Sequence, residues 1–363
     1  MSLTNIIGQK IRRSPDQRLP FGSFMELALY HPVFGYYCRA GEKVGKEGDF
    51  YTSVSIGTVL AEVLTAAFLK RKPDEQNPLV LVEWGAGPGK LAKQILDALR
   101  EMMPGRYATC RYELVETSSD HRAKQENALG DHQGHVHFFT PDEWIERGSK
   151  ANIILFSNEL LDAFPVERVR CRAGQYEQAF VKTRSGNQEL FEWEWATPDD
   201  ELMAYLDDYF IELYEGQIAD ISLSAVTWYG KILNLLENAT MLHIDYGHET
   251  AELFAKHRMN GSLQCYFKHQ TNDEPLERIG EQDITAHVHF SAFQELAKKF
   301  GWEVEPLVTQ TEFLVREGVM GLLRDHLYGH PMDDVSKKNR AIKQLLVGAQ
   351  MGDIFKVMEH RKA

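Results

Sequence analysis

The stretch Leu79–Lys90, which reads LVLVEWGAGPGK, is the strongest indication of the fold in this 363-residue chain. Leu79–Val82 is an apolar run typical of a buried strand, and it ends in Glu83. Glycines then follow at alternate positions: Gly85, Gly87 and Gly89. Apolar residues recur at helical spacing after them: Leu91, Ile95, Leu96 and Leu99. A strand, a glycine turn and a helix in this order predict a nucleotide-binding loop, because glycine permits close backbone approach and the helix start offers free N–H groups.

The glycine spacing separates two classes of nucleotide loop. The dinucleotide fingerprint is G-x-G-x-x-G, whereas this chain has E-x-G-x-G-x-G from Glu83 to Gly89. The latter resembles the S-adenosylmethionine (SAM) loop of class I methyltransferases. A glycine turn that binds no ligand is the alternative interpretation of the same residues.

Composition and charge exclude several classes of protein. The net charge of −13 argues against a nucleic-acid partner, which requires a basic face, and it suits a cationic substrate. No apolar run reaches the length of a membrane span. The N-terminus has no apolar core of a signal peptide, so we expect a cytoplasmic protein.

Cysteines and histidines do not form a metal-binding pattern. The four cysteines are scattered without a C-x-x-C pair, which is typical of reduced thiols. His135/His137 and His287/His289 are each H-x-H, and on a strand both members would face one side. No further ligands accompany them at metal-site spacing, so we predict no metal.

The hydrophobic pattern divides the chain into four parts. Strands and helices alternate in 79–163 and resume in 239–310, which predicts a parallel, doubly wound α/β sheet as the SAM-binding core. Residues 1–78 are expected to form an N-terminal helical extension, and 311–363 a C-terminal helical segment. Residues 164–238 interrupt the alternation and are predicted to be an inserted cap. Its expected elements are strands Val166–Cys171, Gln178–Lys182 and Glu189–Trp195, and helices Glu201–Tyr214 and Ala225–Leu236.

Polar side chains follow the predicted strands at the edge where ligands bind in open α/β sheets. Glu116 ends the second strand, where a carboxylate can accept both ribose hydroxyls. The segment SNELLDAFP supplies Asn158, Glu159 and Asp162 after the next strand, and Asp245 follows Leu242–Ile244. Buried acids need partners, but helix capping would also explain some of these residues.

Nine stretches along the chain resemble the MidA-like family of SAM-dependent methyltransferases. That family includes the mitochondrial complex I assembly methyltransferase, which symmetrically dimethylates an arginine of a complex I subunit. The resemblance implies a class I methyltransferase fold and SAM as cofactor. Because the match begins near Ile6, it also implies a cytoplasmic protein of bacterial type. Besides the glycine loop, the matching stretches are MELALYHPVFGYY (Met25–Tyr37), GDFYTS (Gly48–Ser53), NELLDAFPVER (Asn158–Arg168), HIDYGHE (His243–Glu249), GSLQCYFKHQ (Gly261–Gln270), GEQDITAHVHFSAF (Gly280–Phe293), TQTEFL (Thr309–Leu314) and MGDIFKVM (Met351–Met358).

The resemblance extends the predicted cofactor site into the GDFYTS stretch. Together with the residues at the strand ends, the predicted SAM-binding set is Thr52, Ser53, Glu83, Gly85, Gly87, Gly89, Glu116 and Asn158. Two departures from the family occur nearby. Ala86 and Pro88 reverse the family's usual order of proline and bulky residue in the loop, and Val54-Ser55 replace a common Pro-Glu.

Methyl transfer to arginine requires carboxylates, because a guanidinium hardly loses its proton in proteins. A carboxylate can hold the guanidinium bidentately and direct one nitrogen at the methyl group. We therefore predict Glu159 as the first catalytic residue, with Asp162 and Asp245 next. Gln282-Asp283 and His287 either line the substrate channel or form a structural turn.

Three function classes are compatible with these observations. We favour a SAM-dependent methyltransferase that acts on a protein, with arginine as the expected acceptor. A SAM-binding assembly factor with little turnover is the second, and a nicotinamide-dependent oxidoreductase is disfavoured by the glycine spacing. The long insertion fits a docking surface for a protein substrate, but a homodimer contact or a purely stabilising role would explain it as well, and the sequence leaves these alternatives open.

Overall fold

The computed structural model describes residues 2–39, 56–72, 77–184, 187–325, 333–347 and 354–363. The chain forms two compact units, each with its own apolar core. The core unit comprises Tyr51–Leu160, Ile232–Tyr246 and Ala297–Ala363. The second unit comprises Met1–Phe50, Leu161–Lys231 and Gly247–Leu296. N-terminal residues therefore share a unit with the predicted insertion, and the four domain limits drawn from the sequence stay a prediction.

The core unit is built on one large sheet. Its strands are β1 (Val80–Trp84), β2 (Arg111–Val115), β3 (Val136–Phe139), β4 (Ile153–Asn158), β5 (Ala239–His248), β6 (Glu303–Val304), β7 (Val308–Thr309) and β8 (Phe355–Lys362). The last two residues of β5 belong to the second unit. Strands β1 to β5 run parallel in the order β3-β2-β1-β4-β5, which confirms the predicted parallel, doubly wound sheet.

One edge of this sheet departs from the dinucleotide-binding arrangement. Strand β8 runs antiparallel between β5 and β6, and β7 also pairs with it. The usual dinucleotide-binding sheet has the order 3-2-1-4-5-6 with no reversed strand at that place. Strand order reverses at β1 and β4, so the ligand crevice is expected beyond the carboxyl ends of these strands.

Helices cover the sheet of the core unit. The helix Lys90–Met102 begins directly after the glycine loop, and it buries the stripe that the sequence predicted. Helix Val59–Arg71 packs beside it in the same apolar cluster. The other helices of the core unit are Pro104–Thr109, Ser119–Ala128, Pro141–Glu146, Gln310–Arg316 and Asp334–Val347. None of the helices in the described part of the chain is both long and apolar enough to cross a membrane.

The prediction that 311–363 is helical is wrong for its last part. Phe355–Lys362 forms strand β8, which pairs with eight residues of β5. Met, Lys, Glu and Arg in this segment favour helix, and they gave no signal for a strand. Pairing with β5 overrides that preference, and Arg71 further fixes the strand through two hydrogen bonds of 2.7 Å to buried Glu359.

The second unit contains an antiparallel sheet of five strands. They are Arg18–Pro20, Glu167–Arg172, Gln175–Arg184, Asn187–Ala196 and Ile218–Ile221. The three strands predicted in the insertion are confirmed, whereas Ile218–Ile221 was not predicted. The helix predicted over Glu201–Tyr214 covers only Asp200–Asp208, because Phe210 takes a left-handed backbone conformation with φ of +52°.

The remaining elements of the second unit are short. Three small strands form a separate sheet: Gln264–Phe267, Gln270–Asn272 and Asp283–Thr285. Strand Val288–His289 pairs with the end of β5 at Gly247 and His248. The helices that lie wholly within this unit are Leu3–Arg13, Phe21–Tyr30, Asp200–Asp208 and Thr250–Leu253. Helices Leu223–Leu235 and Phe290–Lys299 each cross the limit between the two units along the chain.

Two buried histidines make the core unit sensitive to acid. His243 on β5 and His360 on β8 are both inaccessible to solvent. Burial, with the neighbouring His360, lowers the pKa of His243 to about 3, and burial lowers the pKa of His360 to about 4. In the unfolded chain a histidine has a pKa of about 6.5. Between that pH and the lowered pKa of the folded state, the unfolded chain binds protons that the folded chain does not bind, and this favours unfolding. Stability is therefore complete above pH 6.5 and is lost as the pH falls from there towards 4.

We expect His360→Asn to flatten this pH dependence. Between pH 6.5 and 4.5 the parent should lose about 1.4 kcal/mol of unfolding free energy per pH unit for each buried histidine. The variant should lose that amount for one histidine fewer, whatever its stability at pH 7.5. Urea unfolding at pH 7.5, 6.0 and 5.0 measures both slopes. Equal slopes for the two proteins would show that His360 is not held neutral.

Candidate active site

The three glycines of the loop after β1 have different tasks. All lie in the left-handed region, with φ of +72° at Gly85, +52° at Gly87 and +80° at Gly89. A Cβ added to Gly85 would lie 2.7 Å from Leu160, and one added to Gly89 would lie 3.1 Å from Gln125. A Cβ added to Gly87 would meet no atom of the described residues within 4 Å. Gly85 and Gly89 thus permit internal packing, and Gly87 faces the open space that a ligand can enter.

Glu116 is held beside Gly87 at the end of β2. Its Oε2 accepts a hydrogen bond of 2.9 Å from the Gly87 backbone N–H, and its Oε1 accepts one of 2.9 Å from Ser118. The Thr117 hydroxyl and His121 Nδ1 each lie 3.4 Å from one of these oxygens, so a ribose diol would take the place of these two longer contacts. The structure therefore brings together two residues that the sequence placed in the cofactor site.

Sequence reasoning missed Gln125, which fixes the loop from the other side. This fully buried residue lies on helix Ser119–Ala128, and its Nε2 donates a 2.7 Å hydrogen bond to the Gly87 carbonyl. With Glu116 on the N–H and Gln125 on the carbonyl, both backbone groups of Gly87 are anchored. A glutamine on a polar helix carries no sequence signal for this task.

Glu83 is turned into the sheet and is 4% exposed. Its Oε2 accepts a 2.6 Å hydrogen bond from the hydroxyl of Tyr112 on β2. Burial raises the pKa of Glu83 to about 8, the Tyr112 hydrogen bond opposes the rise, and the Glu116 carboxylate adds to it. Burial thus favours the neutral, protonated form of Glu83, and its contact with the cofactor stays a prediction.

Asn158 and Glu159 form a polar cluster with Tyr246 at the carboxyl ends of β4 and β5. Glu159 has a left-handed backbone with φ of +55°, and its N–H donates a 2.9 Å hydrogen bond to Ile244. The side chain of Asn158 donates to Glu159 Oε1 at 2.9 Å, and the Tyr246 hydroxyl donates to Oε2 at 3.1 Å. A bulky residue in this conformation is strained, and such strain clusters at functional sites.

Asp245 is a buried residue of β5 that links the end of this strand to the segment after β4. It is fully buried, and its carboxylate accepts hydrogen bonds from the backbone of Leu160 at 3.0 Å and of Tyr246 at 2.8 Å. These bonds hold the segment after β4 against the end of β5. Asp245 therefore has a structural task that explains its burial, and its catalytic role stays a prediction.

The predicted site also includes Asp162, Thr52 and Ser53. Asp162 belongs to the second unit, where it is buried in the turn Leu161–Ala163 and its carbonyl accepts a hydrogen bond from Ala286. Thr52 and Ser53, with the whole GDFYTS stretch, lie outside the described residues. The predicted roles of all three stay predictions.

Gln282 and Asp283, which the sequence assigned either to a substrate channel or to a structural turn, are hydrogen-bonded within the second unit. The Gln282 amide donates to the backbone carbonyls of Glu274 and Glu277, which is the turn chemistry that the sequence left open. Asp283 accepts a 2.7 Å hydrogen bond from the Tyr37 hydroxyl.

One histidine of each H-x-H pair has a hydrogen-bond partner in the protein. His289 lies between the hydroxyls of Tyr205 at 2.7 Å and Thr250 at 2.8 Å, and burial lowers the pKa of His287 to about 4. His135 contacts the Cys110 carbonyl at 3.2 Å. Among the described residues, no three His, Cys, Asp or Glu side chains are grouped to hold a metal ion.

Comparisons with known proteins also indicate a SAM-dependent methyltransferase. A family model described as S-adenosyl-L-methionine-dependent methyltransferase matches residues 59–308. A structure from Burkholderia thailandensis bound to S-adenosyl-homocysteine is 27% identical, with a TM-score of 0.87 over 99% of this chain and 92% of that one. A second structure from Burkholderia thailandensis, of an uncharacterized protein, is 26% identical, with a TM-score of 0.84 over 99% of this chain and 91% of that one.

A curated relative carries a more specific name. It is the mitochondrial protein arginine methyltransferase NDUFAF7 homolog of Drosophila melanogaster. The two chains are 25% identical over 374 residues, which cover 94% of this chain and 80% of the relative.

Proposed function

Because this chain belongs to the family of S-adenosyl-L-methionine-dependent methyltransferases, we propose that it methylates an arginine side chain of a protein. Its cofactor is S-adenosyl-L-methionine. The choice of a protein arginine as the methyl acceptor rests on the candidate active site and on the name of a relative that is 25% identical to this chain.

We assign the cofactor to the loop after β1 and to Glu116. Gly87 leaves room for a ligand to approach the backbone, and Glu116 offers acceptors to a ribose. When bound, SAM supplies a methyl group on a sulfonium, so the protein needs to position the nucleophile rather than to activate the electrophile. Asn158, at the end of the neighbouring strand, is the amide that can contribute a donor or an acceptor there.

The position of Glu159 supports the arginine proposal. Its side chain lies at the carboxyl edge of the sheet, where it accepts hydrogen bonds from the Asn158 amide and the Tyr246 hydroxyl. A guanidinium can pair with such a carboxylate bidentately and present one nitrogen for attack. The C–S bond breaks as the N–C bond forms, and the nitrogen loses one proton, which the Glu159 carboxylate can accept.

A nicotinamide-dependent oxidoreductase is less compatible with the same observations. The glycine spacing differs from the dinucleotide fingerprint, and the reversed strand β8 differs from the dinucleotide-binding sheet. Thermal unfolding with SAM, S-adenosylhomocysteine or NAD tests this directly, because a ligand that binds the folded state alone raises the melting temperature. We expect a shift with the first two ligands and none with NAD.

The acceptor is tested with labelled SAM and a lysate from cells that lack this protein. We expect label in protein, and mass spectrometry after digestion should place it on arginine. Label confined to small metabolites would reject a protein substrate, and label on lysine or a carboxylate would reject arginine. Binding of SAM without any transfer would instead support an assembly factor. The cytoplasmic location and the homodimer stay predictions.

A further inference from the structure

One helix of the second unit ends on a residue type that its geometry disfavours. Helix Asp200–Asp208 ends in a Schellman motif, in which the N–H of Ile211 donates a 2.8 Å hydrogen bond to the Leu206 carbonyl. The N–H of Phe210 donates one of 3.2 Å to the Asp207 carbonyl. The left-handed position of this motif is usually glycine, because a Cβ strains the backbone there. Here it is Phe210, with φ of +52°.

The Phe210 side chain is not buried in spite of this strain. It is 89% exposed, whereas the next residue, Ile211, is buried with Leu206 in an apolar cluster of the unit. Single exposed apolar residues are common on protein surfaces, so exposure alone indicates nothing. Strain and exposure together are two unfavourable features of one residue, and such features persist where function requires the residue.

The acids beside Phe210 also stand against local preference. Asp207 and Asp208 are exposed in the last turn of the helix, where the macrodipole disfavours negative charge. Glu212 is exposed as well. Within the described ranges of the chain, none of these three carboxylates forms an ion pair with a cation. The surroundings of Phe210 are therefore acidic, which fits a basic partner.

The segment that follows the helix holds a second exposed aromatic residue on a fixed backbone. Burial alternates along this segment: Ile211 and Leu213 are buried in the apolar cluster. Glu212 and Tyr214 are exposed. The hydroxyl of Tyr176 accepts a 3.3 Å hydrogen bond from the Leu213 N–H and donates one of 3.4 Å to the Ile211 carbonyl. A surface that is fixed before binding loses less conformational entropy when a partner binds.

The ring of Tyr214 already has a cation beside it. The Lys256 ammonium lies 5.7 Å from the ring centroid, which is within the range of a cation–π interaction. A basic side chain of a partner can take the place of Lys256 on this ring. Both the aromatic and the acidic groups of the segment therefore suit a cationic partner.

We propose that Phe210, Tyr214 and the carboxylates of Asp207, Asp208 and Glu212 form a docking surface for a basic segment of a partner protein. An apolar side chain of that segment covers the Phe210 ring, and its cations pair with the carboxylates. A second copy of this chain is a poorer occupant, because an isologous contact brings the same carboxylates together. That the partner is also the methyl acceptor rests on the proposed function, whereas the surface itself does not.

The aromatic part is tested by Phe210→Gly and a fluorescent peptide in which arginine and leucine alternate. Glycine suits the left-handed position, so the melting temperature should not fall. We expect the peptide to bind the variant about tenfold more weakly, because aromatic anchors contribute much of the energy of such contacts. The control is Gln17→Gly, which relieves a φ of +51° at an exposed residue of the same unit and should keep the parent's affinity. Equal affinities of Phe210→Gly and the parent would overturn the proposal.

The acidic part is tested by Asp207→Asn combined with Asp208→Asn. Each change keeps the shape of the side chain and removes a charge that the helix end disfavours, so the melting temperature should not fall. The affinity for the peptide should fall, and it should depend less on salt than in the parent. Glu101→Gln, which removes an exposed carboxylate near the end of helix Lys90–Met102, should leave both properties unchanged. An unchanged affinity and salt dependence in the double variant would reject a basic partner at this surface.

Three further results separate this surface from the proposed function. For the protein that is labelled in the lysate, Phe210→Gly should raise KM about tenfold and leave kcat and the affinity for S-adenosylhomocysteine unchanged. Weaker peptide binding by the variant without any labelled protein would uphold the surface and reject the proposed function. Labelled protein with unchanged KM and unchanged peptide affinity would uphold the proposed function and overturn the surface. A parent dimer that Phe210→Gly dissociates in analytical ultracentrifugation would assign the surface to self-association and overturn the proposal.

Discussion

Replacing Gly87 by valine is expected to weaken SAM binding at least about 100-fold. Gly87 is the loop glycine that faces open space, so a valine side chain would occupy the place assigned to the ligand. A β-branched residue is also strained at a φ of +52°, and the strain would move the N–H that binds Glu116. Calorimetry with S-adenosylhomocysteine measures the loss. An undiminished affinity would contradict the assignment of the cofactor to this loop.

The chain offers a control for backbone strain. Gly148 has a φ of +74°, and an added Cβ there also meets no described atom within 4 Å. It lies between helix Pro141–Glu146 and the amino end of β4, which is the opposite edge of the sheet. Gly148→Val should therefore lower the melting temperature to a similar extent as Gly87→Val and leave the affinity for S-adenosylhomocysteine unchanged. A loss of affinity in both variants would indicate a general fold defect.

Replacing Glu159 by glutamine is expected to lower kcat about 100-fold, the size found when one preorganised electrostatic contact is removed from an active site. Glutamine keeps the shape of the side chain and loses the charge that pairs with a guanidinium. Binding of S-adenosylhomocysteine should be unaffected, because glutamine keeps a side-chain oxygen that can accept the hydrogen bond from Asn158. Transfer of label from SAM to protein measures the rate.

Two results would change this assignment in different ways. Equal turnover by variant and parent would reject Glu159 as a catalytic group. Loss of S-adenosylhomocysteine binding would move Glu159 to the cofactor site. Glu101→Gln serves as the control for a lost carboxylate, because Glu101 is exposed near the end of helix Lys90–Met102. Its turnover should match the parent.

Local sequence patterns were sufficient to predict the nucleotide loop and the strands around it. The apolar run of β1, the glycines after it and the stripe of helix Lys90–Met102 each express a preference of nearby residues. The position of Glu116, Asn158 and Glu159 at strand ends followed from the same patterns, because a parallel sheet brings its carboxyl ends to one edge. The structure places Glu116 against Gly87 as that argument requires.

Which atoms of these residues face a ligand depends on the tertiary structure. The three glycines are equivalent in the sequence pattern, but a Cβ would meet Leu160 at Gly85, Gln125 at Gly89 and no described atom at Gly87. Glu83 and Glu116 both end a strand, yet one carboxyl is buried against Tyr112 and the other is bound to the loop. The alternation of side chains along a strand and the neighbouring strand together set this difference, and neither is visible in a local window.

Contacts between residues far apart in the chain also made elements that no local pattern predicted. Phe355–Lys362 has helix-favouring residues and became a strand because β5 offers it a full row of backbone partners. Tyr246 meets Glu159 across 87 positions of sequence, and Gln125 meets Gly87 across 38. Local patterns were enough to predict the type of loop, the type of sheet and the cofactor class, because these rest on backbone preferences and periodicity. The surroundings of the Glu159 carboxylate could not be predicted in this way, because strand pairing brings the Tyr246 hydroxyl to it from a distant part of the chain.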